Sequence, residues 1–355
     1  MNSLRTLCAI ILTTLSLLTT SHAADPLAAW KPAFDPSGAE HTYILSNIAH
    51  PAVAGIGVGY KIRDKVWERS NGRLYVDFRP LAQLGGEKDV LSKLKLGAVQ
   101  GMLCSSVAAA NVSPKLGIVN LPFVVDTFDK LDTFRNTPEI WDGFRNAAQR
   151  QGLMVLDITG YGTYGWATTK PVKTLSDAKD INFRIAQAPV NTDIYKTWDL
   201  KFTVMPWPDV PQALQTGVIT GLDHTPTICS ITKKFTVAKH FTRLDYAQGL
   251  FVHFTNQRWF SKLPGDLQQI LTEVIAEESS RARAATRVEQ QEQIALAEAN
   301  GVTFYELSAD EKQLLMTSTE ELYARWGEKI GRDYLQRVRT ILGPSVARTI
   351  ASTRQ

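Results

Sequence analysis

The sequence has few of the residues and motifs that catalytic and metal-dependent proteins use. It contains three cysteines and six histidines in 355 residues, and it has no CxxC or HExxH segment. Those spacings are typical of zinc sites, so a metal site is not expected. It also lacks a GxSxG nucleophile motif, and the histidines after residue 23 do not cluster along the chain. We therefore expect neither enzymatic activity nor a cofactor.

The chain also lacks a strong excess of charge. Its 39 Lys and Arg residues nearly balance 35 Asp and Glu residues, giving a formal net charge of +4, and the basic residues are spread out. A nucleic acid is therefore not an expected partner. After the N-terminal segment, no stretch approaches the ~18 apolar residues that a transmembrane helix needs. The composition, with 44% hydrophobic residues, indicates a globular protein.

The N-terminus has the pattern of a secretory signal peptide. Arg5 supplies a positive charge, residues 7–18 form a short apolar core, and Ser21-His22-Ala23 places small residues at a cleavage site. The core is too short for a spanning helix, so we expect cleavage after Ala23 and export to a bacterial periplasm. Residues 24–40, which include three prolines, are predicted to form an N-terminal arm.

The mature chain of about 330 residues is longer than one hydrophobic core usually supports, which predicts two lobes. It alternates short strand and helix patterns, as α/β proteins do. The predicted strands are 41–46, 74–78, 101–104, 154–158, 181–185, 201–204, 218–222 and 302–307. The predicted helices are 52–70, 87–96, 191–198, 264–300, one within 207–217, and one from 309 to 326. Cys104 and Cys229 remain after cleavage, and both a disulfide and two buried free thiols fit the sequence.

One predicted helix is unusually long. Residues 264–300 would span about 55 Å at 1.5 Å per residue, and Leu267, Leu271 and Val274 belong to its apolar stripe. A helix longer than one lobe could brace two lobes. The alternative is an ordinary amphipathic helix on one lobe, broken near Ser279-Ser280. A capping box at Ser308–Glu311 predicts the start of the next helix.

Arg184 is the most informative single residue. It lies in an alternating segment in which Phe183 and Ile185 point to one face and Arg184 to the other. An arginine fixed on a strand presents a planar fork that fits a carboxylate. A solvated arginine on a strand face explains the spacing equally well, so the spacing alone leaves both interpretations open.

A series of short blocks along the chain favours the first interpretation. They are His50-Pro51, Ser70 to Leu74, Leu84 to Glu87, Leu121 to Phe123, Lys170 to Thr174, Phe183-Arg184, Pro211 to Val218, Gly221 to Asp223, Asn256, and Trp259 to Pro264. In this order, from about Thr42 to about Tyr334, the chain resembles the DctP-type solute-binding proteins of tripartite ATP-independent periplasmic (TRAP) transporters. Each block alone is weak, and their order and spacing together are specific.

The resemblance implies a two-lobe α/β clamshell of the periplasmic-binding-protein kind, with a central hinge and a long C-terminal bracing helix. Lobe 1 would comprise residues 41–158 and about 249–285, and lobe 2 residues 159–248 and about 286–355. Arg184 would form a bidentate salt bridge with the carboxylate of a small organic acid. The protein would deliver this acid to the TRAP membrane permease, with only a peripheral contact to that transporter.

Seven further residues are candidate ligand contacts: Trp207, His224, Trp166, Tyr161, Glu87, Phe123 and Ser105. Trp207 lies between two prolines, which favours a rigid ligand wall, and core packing is an equal alternative. His224 could donate to a ligand or be structural. Glu87 opens a helix and could cap its N-terminus instead. For the others, a place in the core or in a turn is the alternative.

Two departures from the family pattern bear on the ligand. Many members carry a second arginine before the Thr-Lys-Pro segment, where this chain has Gly165, and His224 replaces a frequent amide. One cation fewer and more aromatic wall favour a monocarboxylate with an apolar or aromatic body, or a small keto or hydroxy acid. The alternatives are a ligand-sensing subunit for a receptor kinase and a secreted hydrolase, the latter disfavoured by the missing motifs.

Overall fold

The computed structural model describes residues 27–345. Residues 27–35 belong to a separate unit in which Ala28–Trp30 forms one turn of 3-10 helix, and the main body begins at Pro36. The signal peptide predicted for residues 1–23 lies outside the described residues. The N-terminal arm at residues 24–40 stays a prediction.

A nine-stranded mixed sheet forms the centre of the body. Its strands are β1 (His41–Ser46), β2 (Leu74–Arg79), β3 (Gly101–Ser105), β4 (Leu153–Thr168), β5 (Phe183–Ile185), β6 (Phe202–Val204), β7 (Gly221–His224), β8 (His240–Asn256) and β9 (Thr303–Glu306). Their order is β2-β1-β3-β8-β4-β7-β5-β6, with β9 paired to β8. The β1 and β5 strands pair in parallel with both of their neighbours. The pairing is antiparallel between β3 and β8, between β8 and β4, and between β4 and β7. The α/β class is confirmed.

The two longest strands, β4 and β8, belong to both halves of this sheet. β3 pairs with residues 251–255 of β8, whereas β7 pairs with residues 165–168 of β4. The β4–β8 register shifts at three points, two of them within residues 160–165. Such bulges bend a strand and increase its twist. Gly162 has a φ of 110°, which favours glycine. The glycine-rich stretch therefore bends β4 where it passes from one half of the sheet to the other.

Helices cover both faces of this sheet. They are α1 (Ala54–Arg69), α2 (Glu87–Leu96), α3 (Ser106–Ala109), α4 (Phe128–Asn136), α5 (Pro138–Arg145), α6 (Leu175–Ala178), α7 (Pro189–Thr197), α8 (Val210–Gln215), α9 (Pro226–Ile231), α10 (Gln257–Phe260), α11 (Gly265–Ala299), α12 (Ala309–Ile330) and α13 (Arg332–Leu342). Single 3-10 segments occur at Pro36–Gly38, Pro114–Asn120, Asn146–Gln151, Trp207–Asp209 and Lys234–Thr236. Within residues 27–345, no helix combines the length and apolar character needed to cross a bilayer.

The α11 helix runs without a break through 35 residues, so the alternative of a helix broken near Ser279 is wrong. Leu267, Leu271 and Val274 are fully buried, and each such side chain contributes about 1.5–3 kcal/mol. Further along, Thr286 Oγ1 donates to the carbonyl oxygen of Gly160 at 2.9 Å, which attaches the helix to the bent part of β4. The long helix therefore packs along the central strand pair.

Two smaller expectations are also settled. The Ser308 side chain and the Glu311 side chain form the reciprocal capping box that begins α12. Cys104 and Cys229 are buried free thiols, so of the two possibilities left open the structure shows the second. Burial raises the pKa of both thiols, that of Cys229 to about 12, which keeps them protonated at neutral pH.

Candidate functional site

A small chamber lies beside the bent part of β4. Ser105 at the end of β3 and Glu87 at the start of α2 form one wall, and Arg184 of β5 and His224 of β7 form the other. The chamber has a cavity volume of about 40 Å³, room for a few water molecules. A groove of about 370 Å³ opens at its mouth and shares Glu87, Arg184 and Trp207 with it. We call these two cavities the chamber and the groove.

The chamber brings together six of the eight candidate contacts predicted from the sequence, although they come from six different segments of the chain. They are Arg184, Trp207, His224, Tyr161, Glu87 and Ser105. The fold therefore brings these six side chains together in one cavity.

Trp166 and Phe123 do not line the chamber. Trp166 is fully buried in the core, where its Nε1 donates to the Tyr195 hydroxyl at 3.0 Å and its ring packs on Phe183. The register shift next to Gly165 turns Tyr164, two residues earlier, into the chamber instead. Phe123 lies in a turn with a φ of 63° and lines a separate surface pocket beside α12 and α13. Both predicted contacts are therefore corrected to structural residues.

Arg184 is a buried cation with part of its guanidinium unused. The residue is 5% exposed, and its Nε and Nη2 donate to the Met205 carbonyl oxygen at 3.0 and 2.8 Å. Within residues 27–345 it forms no ion pair, and its Nη1 makes no hydrogen bond. Burial lowers the pKa of Arg184, while Tyr164 and Glu87 oppose that shift. An arginine stays protonated in proteins, so the chamber contains a fixed positive charge that no acidic side chain of residues 27–345 pairs with.

Glu87 faces this cation across the chamber and is already well bonded. Its two carboxylate oxygens accept from the Ser105 backbone N–H at 2.7 Å and from the Ser105 hydroxyl at 2.9 Å. Burial raises the pKa of Glu87, and the hydrogen bonds from Ser105 and the charge of Arg184 counteract this. Ser105 also caps α3 through its hydroxyl. The pair joins α2 to the end of β3 and fixes one wall of the chamber.

His224 presents a neutral hydrogen-bond donor. Its Nδ1 accepts from the Thr225 backbone N–H at 2.9 Å. Burial, together with the charges of Arg184 and Lys234, lowers the pKa of His224 well below its usual value, so the ring is uncharged at neutral pH. A neutral imidazole that accepts at Nδ1 carries its proton on Nε2. The ring therefore has an Nε2–H to offer to the chamber that it lines.

Tyr161 and Tyr164 add a second uncharged donor. Their hydroxyl oxygens lie 2.6 Å apart, so one donates to the other and the second hydrogen is left for another acceptor. Burial raises the pKa of both phenols, which therefore stay protonated at neutral pH. Both residues come from the bent part of β4, so the bulges position this pair.

Asp223 is a chamber residue that was not among the predicted contacts. It is 3% exposed, and its Oδ2 accepts from the Tyr246 hydroxyl at 2.7 Å. Burial raises the pKa of Asp223 to about 7, against the lowering effects of Tyr246 and Arg184. The sequence contained a signal, because Asp223 ends the block that begins at Gly221 and directly precedes His224, but an acid next to a histidine on a strand indicates no particular role.

Lys234 adds a second cation close to the chamber, so Arg184 is not the single positive charge of this region. Its Nζ lies 4.9 Å from the centroid of the Trp207 ring, and the Arg184 guanidinium carbon lies 5.5 Å from the same centroid. Lys234 is 7% exposed but does not line the chamber. No sequence signal marks this position, because Lys233-Lys234 looks like an ordinary surface pair. Trp207 is thus held by cation–π contacts to two cations.

Gly165 does not face the chamber either. A Cβ atom at this position would lie 2.5 Å from the Thr242 carbonyl oxygen and 2.7 Å from the Phe241 ring. An arginine therefore has no room at residue 165, and Tyr164 is the neighbour that reaches the chamber. Within residues 27–345, no group of three or more His, Cys, Asp or Glu side chains could hold a metal ion.

The chain matches a known protein family over most of its length. The family model of the bacterial extracellular solute-binding protein, family 7 (DctP), matches residues 51–329, which is more than three quarters of the chain. The chain belongs to the DctP family. As a DctP-family member it is a solute-binding protein of the TRAP type, and the resemblance inferred from the sequence blocks is confirmed.

The relatives of this DctP-family protein are distant in sequence and close in structure. The C4-dicarboxylate-binding periplasmic protein DctP of Vibrio cholerae is 24% identical over 300 residues, covering 83% of this chain and 88% of the relative. A TRAP solute-binding protein from Shewanella oneidensis with bound succinate is 21% identical, with a TM-score of 0.81 over 85% of this chain and 99% of that one. One from Ralstonia eutropha with bound (S)-2-acetolactate is 19% identical, with a TM-score of 0.80 over 87% and 99%. These matches confirm the two-lobe clamshell fold.

Proposed function

We propose that this protein captures an organic monocarboxylate in the chamber through a salt bridge to Arg184. The observation that supports this most is the state of Arg184, a buried cation with a free Nη1 and no ion pair among the described residues. Nε and Nη2 share the Met205 carbonyl, so the outer edge formed by Nη1 and Nη2 is the one that a carboxylate would bind in bidentate fashion. A buried carboxylate needs such a counter-charge, since burying it alone is very unfavourable.

The rest of the chamber supports a ligand with an apolar, aromatic or small oxygenated body. Trp207, Ile228 and Phe251 supply apolar wall, and the uncharged donors come from His224 and the Tyr161–Tyr164 pair. The structural relative with (S)-2-acetolactate contains a monocarboxylate that carries a hydroxyl and a keto group, and the one with succinate contains a dicarboxylate. With one arginine facing the chamber, the monocarboxylate is the closer fit.

The capture would take place in the periplasm, where the protein would hand its ligand to the membrane permease of a TRAP transporter. We infer that lobe 1 (residues 41–158 and about 249–285) and lobe 2 (residues 159–248 and about 286–355) close on the ligand. The bent crossings of β4 and β8 support a hinge at these boundaries. The signal peptide predicted at residues 1–23 would direct the export.

The test begins with a thermal-shift panel of lactate, pyruvate, mandelate, phenylglyoxylate, (S)-2-acetolactate, succinate and galactonate. Calorimetry then compares the wild-type protein with Arg184→Ala for each acid that raises the melting temperature. Removing one partner of a buried charge pair costs about 2–5 kcal/mol, so we expect affinity to fall at least about 30-fold. The variant should stay folded, because the substitution removes only the two hydrogen bonds that the Arg184 side chain donates to the Met205 carbonyl oxygen.

The matched control is Arg243→Ala. Arg243 lies on β8, is partly exposed, and reaches Glu306 only at 3.9 Å. We expect this variant to bind like the wild-type protein. Equal affinities for wild type and Arg184→Ala would refute the anchor role. A panel in which only succinate binds would refute the monocarboxylate class, and one in which only galactonate binds would refute the apolar, aromatic or small body of the ligand.

A further inference from the structure

One carboxyl oxygen of Asp223 has no hydrogen-bond partner among the residues that the structure describes. Its Oδ2 accepts from Tyr246, whereas its Oδ1 is buried and makes no hydrogen bond within residues 27–345. The hydroxyl of Tyr195, which accepts from Trp166 Nε1 at 3.0 Å, is a further donor near this carboxyl and lowers the pKa of Asp223, but its geometry does not satisfy Oδ1. A buried polar atom without a partner is unfavourable, and native structures retain few of them. Because Asp223 lines the chamber, a bound ligand can supply the missing partner.

The other unused groups of the chamber are donors. They are the Nη1 of Arg184, the Nε2–H of His224, and the free hydrogen of the Tyr161–Tyr164 pair. The oxygens of Glu87 are engaged by Ser105. The donors fit the oxygens of a carboxylate, so the ligand must offer mainly acceptors, together with one group of a different kind opposite Asp223.

The hydrogen-bonding capacity of Asp223 restricts which ligand group can face it. Near neutral pH the Asp223 carboxyl is present both ionised, when it only accepts, and protonated, when it can also donate. A ligand hydroxyl can donate to the first form and accept from the second. A keto oxygen only accepts, and a methylene group does neither. A hydroxyl is therefore the group that satisfies Asp223 in both of its states.

We propose that Asp223 selects ligands with a hydroxyl beside the carboxylate, so that the protein prefers 2-hydroxy acids to the matching 2-keto and unsubstituted acids. This inference rests on the proposed function, in which Arg184 binds the carboxylate. The hydroxyl must lie close to that carboxylate because Arg184 and Asp223 share a chamber of only about 40 Å³. Asp223 is thus a specificity-determining residue in addition to the arginine anchor.

The test uses matched triplets of acids with one carbon skeleton. Lactate, pyruvate and propionate form a small triplet, and mandelate, phenylglyoxylate and phenylacetate form an aromatic one. Calorimetry at pH 8 should show the hydroxy acid binding at least about tenfold more tightly than its keto and unsubstituted partners, as expected for a hydrogen bond to a charged group.

The matched variant is Asp223→Asn. Its amide oxygen can keep the bond from Tyr246, which leaves the NH₂ group, a donor only, at the place of Oδ1. Hydroxy and keto acids both accept from an NH₂ group, so their affinities should come within about threefold of each other. The melting temperature of the variant shows whether it is folded. If the variant does not fold, the wild-type affinities for the two triplets still show whether the protein prefers hydroxy acids.

A pH series gives an independent measurement. In the wild-type protein, keto acids should bind more weakly as pH rises from 6 to 8.5, because only protonated Asp223 donates to them, whereas Asp223→Asn should remove this dependence. The titratable groups around Asp223 are Arg184 of β5, Glu87 of α2, Tyr161 and Tyr164 of β4, His224 of β7, Tyr195 of α7, Tyr246 of β8, Cys229 of α9, and Lys234. All of these remain in the Asn variant, so a dependence lost there belongs to Asp223.

The outcomes separate this inference from the proposed function. Wild-type protein that binds keto or unsubstituted acids as tightly as hydroxy acids overturns the role of Asp223 while leaving the Arg184 anchor intact. A hydroxy preference that persists unchanged in Asp223→Asn overturns it as well. If no carboxylate binds the wild-type protein, the proposed function fails and this inference fails with it.

Discussion

At the scale of single residues, the direction of a side chain decides its role more than its type does. Trp166 and Tyr164 are both large aromatic residues of β4, yet one packs in the core and the other lines the chamber. The register shift between Thr163 and Gly165 separates them. A strict two-residue alternation would place both on the same face. A bulge of this kind leaves little trace in the sequence beyond its glycines.

The close packing around Gly165 gives a testable consequence for stability. In Gly165→Ala the new Cβ would lie 2.5 Å from the Thr242 carbonyl oxygen, so backbone or ring atoms must move. Overpacking of this kind typically costs about 1–3 kcal/mol. Urea unfolding should show that loss for Gly165→Ala.

The control is Gly265→Ala, at the first residue of α11, where a Cβ would meet nothing within 4 Å. This variant should be neutral or more stable by up to about 1 kcal/mol, since alanine favours a helix. A Gly165→Ala protein as stable as the Gly265→Ala protein would show that the β4–β8 contact is looser than the structure indicates.

The sequence predicted the chamber residues that come from recognisable blocks. The block resemblance predicts Arg184, the proline-flanked turn predicts Trp207, and the departure from the family pattern after Asp223 points to His224. Asp223 and Lys234 were missed, because their roles depend on which groups the fold leaves unpaired and on what lies behind Trp207. Burial and hydrogen-bond accounting are properties of the folded chain, and no spacing in the sequence reports them.

At the scale of elements, α11 and β4 are joined by a buried ionic network. Asp157 of β4 is fully buried and accepts from Arg135 at 2.7 and 2.8 Å and from Arg283 of α11 at 2.9 Å. Its Oδ1 also accepts from the Ile158 backbone N–H. The network fixes the long helix to the sheet just before β4 bends. A buried carboxylate with this many partners determines geometry as much as stability.

Breaking this network should be strongly destabilising. Asp157→Ala leaves Arg283, which is 7% exposed, without its buried counter-charge, and such a loss typically costs about 3–5 kcal/mol. Chemical denaturation should therefore show a much lower midpoint for this variant. Arg287→Ala provides the comparison on the same helix, because its bond to Asp129 is exposed and should contribute at most about 1 kcal/mol. Similar losses in the two variants would contradict the network's role.

Elements with clear end signals were predicted closely, whereas elements defined by long-range pairing were not. The α2 helix has the predicted bounds, and α11 matches within one residue at each end, because glycine and proline mark their termini. The β8 strand was missed although it has 17 residues, since its apolar and polar residues do not alternate. β8 is buried along most of its length because β3, β4 and β9 pair with it, and that burial is set by the tertiary structure.

At the scale of the whole molecule, the chamber and the groove lie between the two halves of one sheet. Asn111 Nδ2 donates to the Gln187 carbonyl oxygen at 3.1 Å and joins the two walls of the groove. The chamber volume of about 40 Å³ is too small for a ligand such as mandelate to enter without a change in its walls. Under the proposed function, binding and release would require the two halves to separate, and the bends in β4 and β8 are where this motion would be accommodated.

Ligand binding should therefore make the molecule more compact in solution. A ligand shifts such an equilibrium only by its difference in affinity for the two states, and the closed state is the one in which the Arg184 wall and the Glu87 wall meet. In small-angle X-ray scattering, lactate or mandelate, whichever binds, should lower the radius of gyration towards the about 20 Å expected for a compact chain of this length. At about 100 times the dissociation constant the same acid should add about 2.7 kcal/mol of stability. Arg184→Ala should show neither change and Arg243→Ala should show both, whereas a wild-type radius that stays constant at saturation would mean that the protein binds its ligand without closing.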